Sequence, residues 1–143
     1  MKLHLVTMHG EKIDSDVYEV IIPAIDGEIS VFPDHESLIT VAKAGVVTVR
    51  YEKGHGVDKL EYFAISGGVV ESSDNVVKIL VDEAGSGGEI IEAETNAALE
   101  RAIAMRDSAQ DQVELEKAYQ LVDTHRVKLR VAELHRRRRS GSR

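Results

Sequence analysis

The feature that most constrains this 143-residue chain is a change of hydrophobic period at Gly85-Ser86-Gly87-Gly88. Before that point apolar residues alternate with a period of two. After it they recur every three or four residues. Both Pro and all but one Gly lie at or before Gly88, and Ala becomes dense beyond it.

The first part reads as strands. Leu3 and Leu5 alternate with Lys2 and His4. Val17 to Ile22 leads to Pro23, which is expected to end its run. Val46 to Tyr51 is rich in β-branched residues, and Leu60 to Ile65, Gly68 to Glu71 and Asn75 to Val81 follow. Turn chemistry separates the runs at Asp26-Gly27, Ser66-Gly67-Gly68 and Ser73-Asp74-Asn75, and Lys53 to Asp58 is read as a hairpin turn. Short strands at this spacing predict a sandwich or barrel.

The second part reads as two amphipathic helices. Ala98, Leu99, Ala102, Ile103 and Ala109 share one face; Leu115, Ala118, Val122, Leu129 and Ala132 recur on the other helix, with His125 in the stripe. Asp111 followed by Glu114 has capping-box spacing. The expected architecture is α+β: a β-sandwich over 1–84, a flexible Gly/Ser hinge over 85–88, an antiparallel two-helix hairpin over 89–135, and a disordered basic tail over 136–143. The tail is expected because like charges repel in Arg136-Arg137-Arg138-Arg139.

Composition removes several functions. With no Cys there is no disulfide, thiol catalysis or Cys-bound metal. No stretch is apolar enough to span a bilayer, and the first residues do not read as a signal peptide. Residues 1–88 carry 7 Lys/Arg against 15 Asp/Glu, while 89–143 carry 11 against 10. The acidic first part argues against nucleic-acid binding, which needs phosphate-neutralising cations. There is no Walker loop or nucleophile elbow. His4, His9 and His55 show no helical metal spacing. The acid pairs Asp14/Asp16 and Glu92/Glu94 read as solvated faces. An acid–base pair of Asp34 with His35 would need a bent loop, because neighbours in a strand point to opposite faces.

One segment, Asp26 to Thr40, reads as a long, Pro-stiffened connection carrying Phe32 and His35, and such loops often bind partners. Phe32 is expected either in the core or on a binding edge.

Here the chain resembles the epsilon subunit of bacterial F-type ATP synthase, called delta in mitochondria. That family reads roughly Gly-Glu-x-Gly-x-x-Pro-x-His-Ala-Pro-Leu-x-Thr in this segment. Gly27-Glu28, Pro33, His35, Leu38 and Thr40 stand in register. Gly45 with the strand after it, Ser66-Gly67-Gly68-Val69-Val70-Glu71, Asn75-Val76, Leu80-Val81-Asp82-Glu83-Ala84 and Leu129 to Leu134 continue the likeness over almost the whole chain. Ser30 replaces the family's second Gly, and Glu36-Ser37 replaces Ala-Pro.

The resemblance implies a flattened sandwich of about ten strands followed by two helices. It implies a non-catalytic rotor subunit on the cytoplasmic face of the bacterial membrane. The sandwich would bind the gamma subunit and the polar loops of the c-ring, with Glu28, Ile29, Phe32 and His35 as interface residues. The hairpin would pack on the sandwich or extend into the alpha/beta catalytic head and restrain hydrolysis. Arg136, Arg137, Arg138 and Arg139 would then pair with acids on that head. Some members bind ATP through Ile/Leu-Asp-x-x-Arg-Ala at the start of the first helix. This chain has Ile91, Glu92, Thr95 and Asn96 there, and Thr lacks the planar charged donor of Arg. Weak or absent ATP binding is therefore expected, unless Arg126 and Arg130 compensate. The alternative is a free-standing sandwich adaptor with a helical tail.

Overall fold

A computed structural model describes residues 1–54, 56 and 59–141. Ten strands precede two helices: β1 (Lys2–Thr7), β2 (Gly10–Asp16), β3 (Glu19–Ala24), β4 (Gly27–Val31), β5 (Leu38–Ala42), β6 (Gly45–Arg50), β7 (Leu60–Ile65), β8 (Gly68–Ser73), β9 (Val76–Val81), β10 (Ala84–Ser86), α1 (Glu92–Asp107) and α2 (Gln112–Gly141).

Hydrogen bonds run through the order β10-β7-β6-β3-β5-β8-β9-β1-β2, with β4 branching from β3. The path folds at one weak joint, the single Ala24–Ala42 pairing of β3 with β5. Five strands lie on either side of it, giving the two layers of the sandwich. The core between them is aliphatic, built from Leu3, Leu5, Val20, Ile22, Val31, Val47, Val49, Val70, Val77 and Ile79, with Phe63 its one buried aromatic among the described residues.

Pro23 does not end its strand but sits inside β3, opposite Glu28 of β4. Its carbonyl accepts the Lys43 N–H at 2.9 Å. In an antiparallel strand the N and O of one residue point the same way. Its missing N–H therefore faces the gap where β3 leaves β6 and meets β5, and no ladder bond is lost. A Cβ on Gly45 would stand 2.9 Å from the Pro23 Cβ, so glycine there lets the ring pack.

The expected turn between β6 and β7 includes residues 55, 57 and 58, which lie outside the described residues. The strands on either side pair antiparallel, Gly45 with Ile65 through Arg50 with Leu60.

The helices pack antiparallel through small residues; Ala102, Ala118, Val122 and Ala132 are buried. Asp111 Oδ1 accepts the Glu114 N–H at 2.8 Å, and Glu114 Oε2 reaches back to the Gln110 N–H at 3.1 Å. This is the expected capping box, closed one residue early. Val131, beside Ala132, is also fully buried. Two adjacent helical residues point about 100° apart, so α2 is covered over a broader arc than the α1 contact alone. The second cover is the sandwich, chiefly β7.

Two boundaries differ from the sequence reading. Residues 85 and 86 are not hinge: Ala84–Ser86 pairs antiparallel with Ile65–Phe63. Residues 136–141 are not a disordered tail but the last turns of α2. Helical geometry turns Arg136, Arg137 and Arg138 onto separate acceptors, and positive charge at a helix C-terminus favours the dipole.

Candidate functional surfaces

The segment read as one long connection is mostly strand. Gly27–Val31 is β4 and Leu38–Ala42 is β5, leaving residues 32–37 as the loop. This separates the four expected interface residues. Glu28 is exposed near the β3–β4 turn. Ile29, opposite Ile22, is half-buried and packs on the core. Phe32 and His35 follow the far end of β4, with Phe32 roughly 13 Å from Glu28 at the usual strand rise.

Phe32 leaves the core for the surface, where it is 39% exposed and meets Tyr18 edge-on at 5.7 Å between ring centroids. The Lys53 ammonium lies 6.0 Å from the Tyr18 ring. The loop is pinned across 41 residues. Asn75 Oδ1 accepts the Asp34 N–H at 2.6 Å, and Asn75 Nδ2 donates to Asp34 Oδ1 at 2.9 Å. Both residues adopt positive φ, which Asn and Asp tolerate better than bulkier residues. His35 is exposed, with its Nδ1 2.7 Å from the Glu36 carbonyl. No hydrogen bond joins Asp34 to His35 among the described residues.

A second surface went unnoticed in the sequence. Ile39, Val41, Val69 and Leu80 are exposed on the outer face of β5, β8 and β9, Ile39 by 77%. Val41 pairs with Val69, and Val69 with Leu80, so the side chains form a stripe across three strands. Ile25, also exposed, bonds through its N–H to the Val41 carbonyl at 3.1 Å. Strand parity was the available signal. Val77, Ile79 and Val81 face inward, so Leu80 must face out.

The third surface is the seam between hairpin and sandwich. Arg138 Nη1 donates to the Leu60 carbonyl at 2.6 Å. Lys128 lies 3.8 Å from Glu83, and Lys12 of β2 lies 3.2 Å from Glu89, which also accepts the Ser86 N–H at 3.0 Å. Tyr51 donates to Glu61 beneath Arg138, and burial, then the Glu61 carboxylate, holds its hydroxyl well above the usual phenol range. Burial lowers the pKa of His125, with Lys128 and Arg101 acting the same way, and its Nδ1 has no partner. A cleft of about 220 Å³ opens between Ser66, Glu83, Lys12 and Lys128, and the Ser66 hydroxyl is buried without a partner.

The positions of the ATP-type motif are otherwise engaged. Ile91 is exposed at the α1 N-cap. Glu92 takes Arg136 Nη1 on both oxygens, at 2.8 and 3.1 Å. Thr95 Oγ1 bonds back to the Ile91 carbonyl at 3.0 Å, and Asn96 is exposed. Arg126 and Arg130 are exposed and form no ion pair among the described residues. Arg137 pairs with Glu133 of its own helix.

Arg138→Ala should loosen the seam. A charge-assisted bond of this kind contributes about 1.5 kcal/mol, so amide protection in the last two turns of α2 should fall about tenfold. Arg137→Ala should leave it unchanged. Equal protection in both variants would show that Arg138 does not hold the hairpin.

A two-layer sandwich with an outward apolar stripe and a docked helical hairpin defines the class of fold. Residues 1–87 match the family described as ATP synthase, Delta/Epsilon chain, beta-sandwich domain. The ATP synthase epsilon chain of Herpetosiphon aurantiacus is 35% identical over 139 residues, spanning 96% of this chain and 98% of that one. That of Desulfitobacterium hafniense is 38% identical over 100 residues, spanning 70% and 72%. Among solved structures, a chain of the Euglena gracilis mitochondrial ATP synthase (OSCP/F1/c-ring) aligns with TM-score 0.77 and 25% identity, covering 93% of this chain and 81% of that chain. A chain of the Tetrahymena thermophila central stalk/c-ring assembly shares the fold, with TM-score 0.60 at 16% identity, covering 92% and 96%. The chain belongs to the ATP synthase delta/epsilon family, and its full-length relatives are epsilon chains. No helix among the described residues is long and apolar enough to cross a membrane.

Proposed function

We propose that the chain is a non-catalytic rotor subunit that links the gamma subunit to the c-ring and so helps couple proton flow to ATP synthesis at the cytoplasmic face of the membrane. The observation that carries the reading is the exposed stripe Ile39, Val41, Val69 and Leu80. A contiguous apolar patch on an otherwise acidic surface is a docking face. Similarity to epsilon chains along almost the full length points to gamma as its occupant. Glu28, next to the β3–β4 turn, is offered to the polar loops of the c-ring, while Phe32 and His35 form a separate contact at the other end of β4.

The hairpin restrains hydrolysis when it leaves the sandwich and enters the alpha/beta head, where Arg136 to Arg139 exchange Glu92, Glu133 and the Leu60 carbonyl for acids on the head. Such contacts weaken with salt. ATP binds weakly or not at all, because Glu92 is taken by Arg136 and Thr95 supplies no charge.

The test is capture of the tagged full chain from native membranes with identification of its partners by mass spectrometry. Gamma together with the catalytic subunits is the expected result. Recovery of the chain alone, or with unrelated proteins, would overturn the rotor reading in favour of a sandwich adaptor.

A further inference from the structure

The β1–β2 hairpin contains a bulge. The register pairs His4 with Asp14, Leu5 with Ile13 and Val6 with Glu11, with a shift between Leu5 and Val6. Strict alternation would set Asp14 and Lys12 on one face, with Glu11 on the other. The bulge drops Lys12 out of the ladder, where it reaches Glu89. Glu11 thereby joins Asp14 and His4 on the outer face, while Leu3, Leu5 and Ile13 stay in the core.

The result is a compact mixed donor set. His4 Nδ1 lies 2.5 Å from Glu11 Oε1 and 3.8 Å from Asp14 Oδ1. The ligand atoms of all three residues lie within 4.8 Å of one another, and among the described residues this is the one group of three with that property. Around a tetrahedral zinc with bonds of 2.0–2.2 Å, ligand atoms stand roughly 3.4 Å apart. The present spacing brackets that value.

We propose that His4, Glu11 and Asp14 form a binding site for a divalent transition-metal ion of the zinc type, with water completing the coordination. The donor set chooses the ion. One imidazole with two carboxylates suits zinc and its neighbours, whereas calcium and magnesium take all-oxygen sites and cuprous copper needs sulfur. The role is a cross-strand staple. β2 ends the strand order, so it has a neighbour on one side only. A metal bridging β1 and β2 ties down that edge, and binding to the folded state stabilises it by mass action.

The site has a built-in competitor. Lys2 Nζ sits 2.9 Å from Asp14 Oδ1. A metal ion bound to that carboxylate must displace the ammonium. Removing Lys2 should therefore strengthen binding, which a merely structural ion pair does not predict.

The test is isothermal titration of the metal-free full chain with ZnCl2 near pH 7.5, with thermal melting alongside. One saturable site and a raised Tm are expected. Lys2→Met should tighten binding several-fold. His4→Gln should weaken it at least about tenfold, a loss of about 1.4 kcal/mol. All three residues are at least partly exposed, so the variants should fold, and circular dichroism verifies it. Absence of saturable binding up to about 1 mM Zn²⁺, which is about −4 kcal/mol, overturns the proposal. So does unchanged affinity in His4→Gln, or magnesium binding as tightly as zinc.

Discussion

Gly68→Ala should leave little folded protein. Gly68 opens β8 between two neighbours, paired with Ala42 of β5 and Val81 of β9. A Cβ there would stand 2.0 Å from the Leu80 carbonyl oxygen and 2.9 Å from both the Leu80 carbonyl carbon and Val81 Cγ1. The obstacle is ladder backbone, which cannot swing aside as a side chain can. Relief requires β8 and β9 to part, and that opens the core at Val70 and Ile79. The expected loss is more than about 4 kcal/mol, a large share of the roughly 5–15 kcal/mol that holds a domain together. Gly67→Ala should be milder, about 1–3 kcal/mol. Its φ of +109 strains any other residue, and the Ala42 carbonyl oxygen lies 3.2 Å from the new Cβ. Gly88→Ala meets open space and should change stability by less than about 0.5 kcal/mol. Urea unfolding followed by circular dichroism ranks the three. A Gly68→Ala midpoint near the parent's would mean that β8 and β9 approach less closely than described.

That series shows how far the sequence could be read. Ser66-Gly67-Gly68 announced a tight turn, because two adjacent glycines in a β-rich segment rarely mean anything else. It did not divide the labour: Gly67 supplies the dihedral angle and Gly68 the room, and the room is made by Leu80, a partner known only once β8 is placed against β9. The same boundary runs through the rest of the chain. Alternation is local, so Leu3, Leu5 and the strand texture were legible. Helical periodicity is local, so Ala102, Ala118, Val122 and Ala132 were placed correctly. What failed depended on distant partners. Gly85 and Ser86 have no side-chain pattern to betray a strand, and only pairing with Phe63 and Ala64 makes them one. Four arginines in a row suggested repulsion, but their acceptors include the Leu60 carbonyl, 78 residues away from Arg138. The interface residues inherited from the resemblance scattered for a related reason. The motif is contiguous in sequence, but β4 is a straight rod between Glu28 and Phe32.

The double substitution Val69→Asp with Leu80→Asp should abolish association with the gamma subunit while leaving the fold intact. Both side chains stand on the outer face of adjacent strands and are about half exposed, while their neighbours Val70, Ile79 and Val81 are buried. Carboxylates there stay hydrated in the free chain, but they stand directly opposite one another and repel, so its stability should fall by about 1–3 kcal/mol. In a complex the same positions must lose water. Each apolar side chain of this size contributes about 1.5–3 kcal/mol when covered, and an unpaired carboxylate at the centre of an interface is strongly unfavourable. Two such changes should weaken binding by at least about a hundredfold. Capture from membranes reads the loss, and circular dichroism melting verifies that the sandwich is intact. His35→Ala and Glu28→Lys are the informative companions. If the stripe is the docking face for gamma, His35→Ala changes that association far less than the double substitution does. Glu28→Lys, at the opposite end of β4, should then spare gamma while weakening attachment to the ring. Retention of gamma by the double variant would remove the stripe from the interface and leave the Phe32–His35 loop as the contact, because that loop, pinned through Asp34 by Asn75, holds an exposed aromatic ring in place.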